Sequence, residues 1–169
     1  MYPGLAALLL ITFAGCGGGP AAKSVTGDTQ VVRGQGYTVS APADWQRVQT
    51  PRGATLSPEP GADTLVSITL FRLIRPFEPA VWPRARAELD HVADRLALQL
   101  GGSVESRHTL KTGVRQYGLA YERKGAKLKQ QITFVLRGRR EYELLCRWKA
   151  SDHEPAACGR FVESFRPSG

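Results

Sequence analysis

From Lys127 to Lys149 the chain alternates apolar and polar side chains with a period of two, a pattern that gives coherent faces only to β-strands. In 126–137 the even positions Leu128, Ile132, Phe134 and Leu136 are apolar, Gln130 is the exception, and Lys127, Lys129 and Arg137 fall on odd positions. In 141–149 the even positions Tyr142, Leu144, Cys146 and Trp148 are apolar again. If both runs bury their even side chains on one face, the length of the loop between them is constrained. A two-residue loop would pair Arg137 with Arg140 and set Leu136 opposite Glu141, mixing the faces. The three-residue loop Gly138-Arg139-Arg140 instead pairs Leu136 with Tyr142, Phe134 with Leu144 and Ile132 with Cys146. An odd-length loop is therefore predicted.

The rest of the chain reads as a mixed fold built around these strands. Segment 37–42 alternates and stops at Pro42, Asp44-Trp45 turns, and 46–50 is expected to pair back. A short strand at 54–57 precedes the loop Pro58-Glu59-Pro60-Gly61, and 65–74, apolar on nearly both faces, reads as a central strand. Prolines then break the pattern until a helix at 83–100, with Pro83 in its first turn and Gly101-Gly102 beyond its end. Leu89, Val92, Ala93, Leu96 and Leu100 form its apolar stripe, while Arg86, Asp90 and Asp94 are spaced to pair along the helix. Strands at 104–110 and 115–122 lead into the two alternating runs. A second helix is expected over 154–165, with Ser151 and Glu154 at capping-box spacing and Cys158, Phe161, Val162 and Phe165 on its buried side. The predicted class is α+β: an antiparallel sheet of about six to seven strands packed against one long and one C-terminal helix.

At the other end of the chain, Leu5-Ala6-Ala7-Leu8-Leu9-Leu10-Ile11-Thr12-Phe13 is an apolar run closed by Ala14-Gly15-Cys16. It is too short to span a bilayer and has the length of a signal-peptide core. Its ending resembles the lipobox of bacterial lipoproteins, which implies removal of 1–15, lipidation of Cys16 and anchoring at a membrane, facing the periplasm or exterior. Gly17 is not the aspartate that retains lipoproteins at the inner membrane, so the outer membrane is the expectation for an envelope with two. Cleavage near Ala14 as a plain secretory peptide would leave Cys16 as an odd thiol. Residues 16–30, small and polar, read as a flexible tether, and 31–169 as one domain.

Export favours oxidised thiols, and Cys146 and Cys158 are the pair left to form a disulfide. With His153 they match no zinc spacing, and they lack Cys-x-x-Cys redox spacing. The net charge of +8 is concentrated between Val104 and Lys149, where 12 basic residues face 4 acidic ones. Lys127, Lys129, Arg137, Arg139, Arg140, Arg147 and Lys149 are the candidate contact set of a basic sheet face.

Gly36-Tyr37-Thr38-Val39-Ser40-Ala41-Pro42-Ala43-Asp44-Trp45 resembles the opening of the PsbP/Mog1-like superfamily, in which a strand led by an aromatic ends in proline and a tryptophan follows. The order of elements and the ending Phe161-Val162-Glu163-Ser164-Phe165-Arg166 are similar as well. The resemblance implies protein binding without catalysis, since members serve as extrinsic photosystem subunits, a small-GTPase release factor and chaperones for secreted effectors. It supplies no functional residue, because a fold does not locate a site.

No nucleophile with a base, phosphate-binding glycine loop or metal motif stands in the sequence, and His91, His108 and His153 are scattered. No enzyme, cofactor or metal is expected. Two functions remain: an envelope module that binds a protein partner through its sheet or helix–sheet cleft, or a basic face that contacts an anionic polymer or lipid headgroup. Nucleic acid is not expected as a partner outside the cytoplasm.

Overall fold

The computed structural model describes residues 28–168; the leader at 1–15, the lipidation of Cys16 and most of the tether lie outside them. The described chain forms two antiparallel sheets and two α-helices, an α+β architecture. β1 (Thr29–Gly34), β2 (Tyr37–Pro42) and the short β9 (Arg166–Pro167) make a three-stranded sheet. β3 (Gln46–Thr50), β4 (Gly53–Ser57), β5 (Leu65–Phe77), β6 (Ser103–Lys111), β7 (Val114–Arg123) and β8 (Ala126–Lys149) make the larger one, in the order β3-β4-β5-β8-β7-β6. Helix α1 spans Trp82–Gln99 and α2 spans Ala156–Glu163.

The larger sheet is covered on both sides, by different layers over different halves. On one side α1 seats Leu89, Ala93 and Ala97 on Tyr117, Leu119, Ile132, Phe134 and Leu136. On the other, the small sheet and α2 bring Val32, Tyr37, Val39 and Phe161 onto Leu56, Val66, Ile68, Tyr142 and Leu144. β5 is central, as its apolar composition predicted, and pairs through Leu65–Arg72 with β8.

β8 folds back on itself. The Ala150 amide donates to the Lys127 carbonyl at 2.8 Å, whereas a straight strand of this length would hold its ends about 75 Å apart. The first arm therefore lies beside β7 and the second beside β5. Carried through in register, the Lys127–Ala150 pair sets Arg137 opposite Arg140, with Gly138-Arg139 as a two-residue turn. Gly138 has φ of 54°, and Arg139 is not in the left-handed region, as a type II′ hairpin requires.

This corrects the predicted odd-length loop. The prediction assumed that both arms bury one shared face. Instead the even residues of the first arm face α1 and those of the second face the small sheet. Odd residues confirm the switch: Leu145 packs with the α1 core and Val135 with the other. A two-residue turn keeps each arm's apolar set buried because each set has its own covering layer.

Other local expectations shift for similar reasons. Thr29 and Gln30, read as tether, pair with Pro42 and Ala41, and the Gln30 amide donates to the carbonyls of Pro42 at 2.9 Å and Trp45 at 2.7 Å. β3 pairs with β4 rather than returning to β2, whose edges are taken by β1 and β9. α2 begins after Pro155, which as N-cap offers no side-chain cap, and the expected capping box does not form: the Ser151 hydroxyl donates to the adjacent Asp152 carboxylate. Arg86, Asp90 and Asp94 do not pair along α1: Asp94 meets Arg107 on β6 and Asp90 meets Arg115 on β7.

Candidate functional site: the groove between α1 and the sheet

α1 covers β7 and the first arm of β8, so its outer flank leaves a cleft against β5 and the second arm. Leu73, Phe77, Val81, Ala85, Leu89 and Leu136 line this groove of about 640 Å³, with Arg84, Glu88 and Glu141 at its margins. Its geometry follows from the bulge in β5. Register with β8 is regular as far as Arg72–Arg140 and resumes only at Phe77–Gly138, and the segment between carries Ile74 into solvent at 90% exposure. The Arg139 guanidinium holds that segment by donating to the Ile74 carbonyl at 2.6 Å. Phe77 meets Trp82, the first residue of α1, edge to face at 6.2 Å between ring centroids. The groove thus has an apolar floor and one exposed aliphatic, Val81, at its margin.

Inside the helix–sheet interface, one carboxylate oxygen of Asp90 accepts from the Tyr117 hydroxyl at 2.7 Å and from Arg115 Nη2 at 2.8 Å and Nε at 3.1 Å. Burial pushes the Asp90 carboxyl up, but these bonds and the charges of Arg115 and Arg107 outweigh it and leave it below the ordinary carboxylate value. Burial and the bond to Asp90 push the Tyr117 hydroxyl well above the usual tyrosine range. The cluster fastens α1 to β7 and presents no nucleophile.

Glu141 and Glu143 project toward the α1 side, since Tyr142 and Leu144 between them point the other way. Burial, reinforced by the neighbouring Glu143 carboxylate, holds Glu141 above the ordinary carboxylate range. Burial does the same to Glu143, opposed by Arg52.

The seven basic residues singled out in the sequence do not share one face. Lys127, Lys129, Arg137 and Arg140 lie on the small-sheet side, Arg147 and Lys149 on the α1 side, and Arg139 in the turn. Several have protein partners: Lys129 pairs with Glu105 at 3.7 Å, Arg140 Nη1 donates to the Ser168 carbonyl at 2.8 Å, and Arg147 donates to the carbonyls of Asp63 at 2.8 Å and Ala62 at 3.2 Å. Cys146 and Cys158 are disulfide-bonded, with Cα atoms 5.6 Å apart, which ties α2 to β8. Trp45 packs at the edge of the same core. His91 is exposed on α1. Among the described residues no three His, Cys, Asp or Glu side chains cluster as metal ligands, and no helix is long and apolar enough to cross a membrane.

The groove could not be read from the sequence, because it depends on where the bulge falls in β5. Pro76 within a strand was the available signal.

The fold is that of PsbP-like proteins. The solution structure of cyanobacterial PsbP (CyanoP) from Synechocystis sp. PCC 6803 superposes with a TM-score of 0.59 at 9% identity, covering 88% of this chain and 98% of that one. A crystal structure from Bacteroides thetaiotaomicron VPI-5482 matches with a TM-score of 0.53 at 10% identity, covering 85% of this chain; the chain spans 49% of that protein's length. LpqN, described as involved in cell envelope biogenesis of Mycobacterium tuberculosis, aligns at 15% identity over 84% of this chain and 91% of its own, with a TM-score of 0.49. No protein-family model matches the chain, and no curated protein matches it in sequence.

Proposed function

We propose that this chain is a lipid-anchored accessory protein of a bacterial cell envelope, one that binds a protein partner and performs no chemistry. The partner contributes an apolar side chain to the groove between α1 and β5, and charged groups meet Arg84, Glu88 and Glu141 at its margins. The observation that carries the reading is the 640 Å³ groove floored by Leu73, Phe77, Leu89 and Leu136, with the exposed Val81 at its margin. Isolated exposed aliphatics are ordinary on protein surfaces, but a concave apolar site with an exposed aliphatic at its margin fits an interaction surface. The Ala14-Gly15-Cys16 ending supports the anchor, and the disulfide fits an oxidising compartment.

A photocrosslinking residue at Val81 or Ala85 in intact cells tests the docking surface. A discrete protein adduct that is absent when the probe is moved to exposed Lys124 is expected; equal or no adducts from the three positions would refute the groove. Fractionation tests the anchor separately, with wild type pelleting with membranes and Cys16→Ser becoming soluble.

A further inference from the structure

Where β4, β5 and β8 meet the β1–β2 turn, three arginines line one open cavity of about 500 Å³. Arg72 and Arg140 are direct cross-strand neighbours on β5 and β8. Arg52, at the head of β4, lies with its guanidinium carbon 4.9 Å from the centroid of the Phe71 ring. Gln35, Pro51 and Leu70 also line it, and among the described residues no carboxylate does. Among the described residues none of the three guanidinium groups forms an ion pair. Arg52 and Phe71 belong to the α1 side, where Glu143 lies within the field of Arg52, so Arg52 has a protein counter-charge. Arg72 and Arg140 face each other on the opposite side without one among the described residues, and like charges directly opposite in a sheet are destabilising.

Arg140 is already oriented. Its Nη1 donates to the Ser168 carbonyl at 2.8 Å, and its guanidinium lies against Gly36, where a side chain would overlap it. Its Nε and Nη2 have no partner among the described residues, which leaves free the edge that takes an oxyanion in two parallel hydrogen bonds. Arg72 makes no side-chain hydrogen bond among the described residues. An adjoining recess shares Gln35, Pro51, Arg52 and Leu70 with the cavity and is lined by Tyr37, whose buried hydroxyl has no hydrogen-bond partner among the described residues. Buried donors are nearly always satisfied in native proteins.

We infer that this cavity binds a phosphate group, held by the Arg140 fork and neutralised by Arg72. Two adjacent guanidinium groups without an acid of their own match a phosphate group, whose several oxygens can engage both, better than a single carboxylate, and Leu70 and Pro51 offer an apolar wall to whatever carries it. Arg72 and Arg140 project from the side of the sheet opposite the α1 groove, so the site is independent of protein docking there.

Phosphorus NMR of inorganic phosphate and glycerol phosphate, with the full chain in detergent at matched ionic strength, tests the site. Wild type broadens the phosphate resonance on titration, and Arg72→Gln weakens binding at least about tenfold, the effect of losing one charged hydrogen bond. Arg72 is exposed, and relief of repulsion means that Arg72→Gln, free of phosphate, unfolds at an equal or higher temperature than wild type; that melting curve guards against reading misfolding as lost binding. The source of the phosphate is resolved with phosphatidylcholine vesicles with or without phosphatidylglycerol, using full chain carrying Cys16→Ser so that no acyl group retains it. Retention by phosphatidylglycerol that Arg72→Gln abolishes assigns a lipid headgroup; phosphate binding without such retention assigns a soluble phosphate ester. An unchanged phosphate resonance with wild type, or equal binding by Arg72→Gln, overturns the inference.

Discussion

The Tyr117 hydroxyl donates to Asp90 at 2.7 Å, joining β7 to α1 through a carboxylate that Arg115 also grips. Removing that carboxylate leaves a half-buried guanidinium without a counter-charge, so Asp90→Ala is expected to destabilise the fold by about 2 kcal/mol in urea unfolding. The sign with pH follows from the lowered carboxyl. Its stabilisation is fully present above the ordinary value of about 4 and is lost as pH falls through the folded value. The gap between wild type and Asp90→Ala should therefore narrow on acidification.

Glu141 and Glu143 behave in the opposite sense. Their raised carboxyls hold protons longer in the folded state than in the unfolded one, so their penalty is absent at low pH and grows as pH climbs through the folded values. The double variant Glu141→Gln, Glu143→Gln should melt higher than wild type at pH 7 and show no such gain in acid. Thermal unfolding at both pH values checks this.

The β8 reversal turns on Gly138, whose φ of 54° lies where other residues are strained. Gly138→Val is expected to cost about 1–2 kcal/mol and Gly138→Asn distinctly less, because asparagine tolerates the left-handed region. A parity-neutral odd loop would show no such ranking.

The Cys146–Cys158 bond closes a loop with a sequence separation of 12. By chain entropy its loss through Cys158→Ser should lower stability by about 3 kcal/mol. Hydrogen exchange should report the loosening first in α2, whose other fastenings are the buried Phe161 and the Ser40 amide donating to the Ser164 hydroxyl at 2.8 Å.

Much of the fold was legible because periodicity is a local signal. The stripe of Leu89, Ala93 and Leu96, the central character of β5 and the strands of β6–β8 all depend on spacing alone. The misreadings came where the partner decided. Thr29-Gln30 is polar enough to pass for tether until Pro42 and Trp45 accept from Gln30. Asp90 found Arg115 across the interface, 25 residues away in sequence, instead of a helical neighbour. Parity in β8 failed because apolar alternation states that a face is buried without stating which layer covers it. The groove and the arginine cavity were illegible for a further reason: each is made by residues from three or more segments meeting beside a bulge or turn.

The larger sheet thus acts as a partition between two compartments that share a wall and little else. One is stapled by sulfur and sealed by the chain's own end strand; the other is roofed by a single helix. Substitutions on the helix-roofed side can therefore reshape the groove while the stapled side keeps the wall in place.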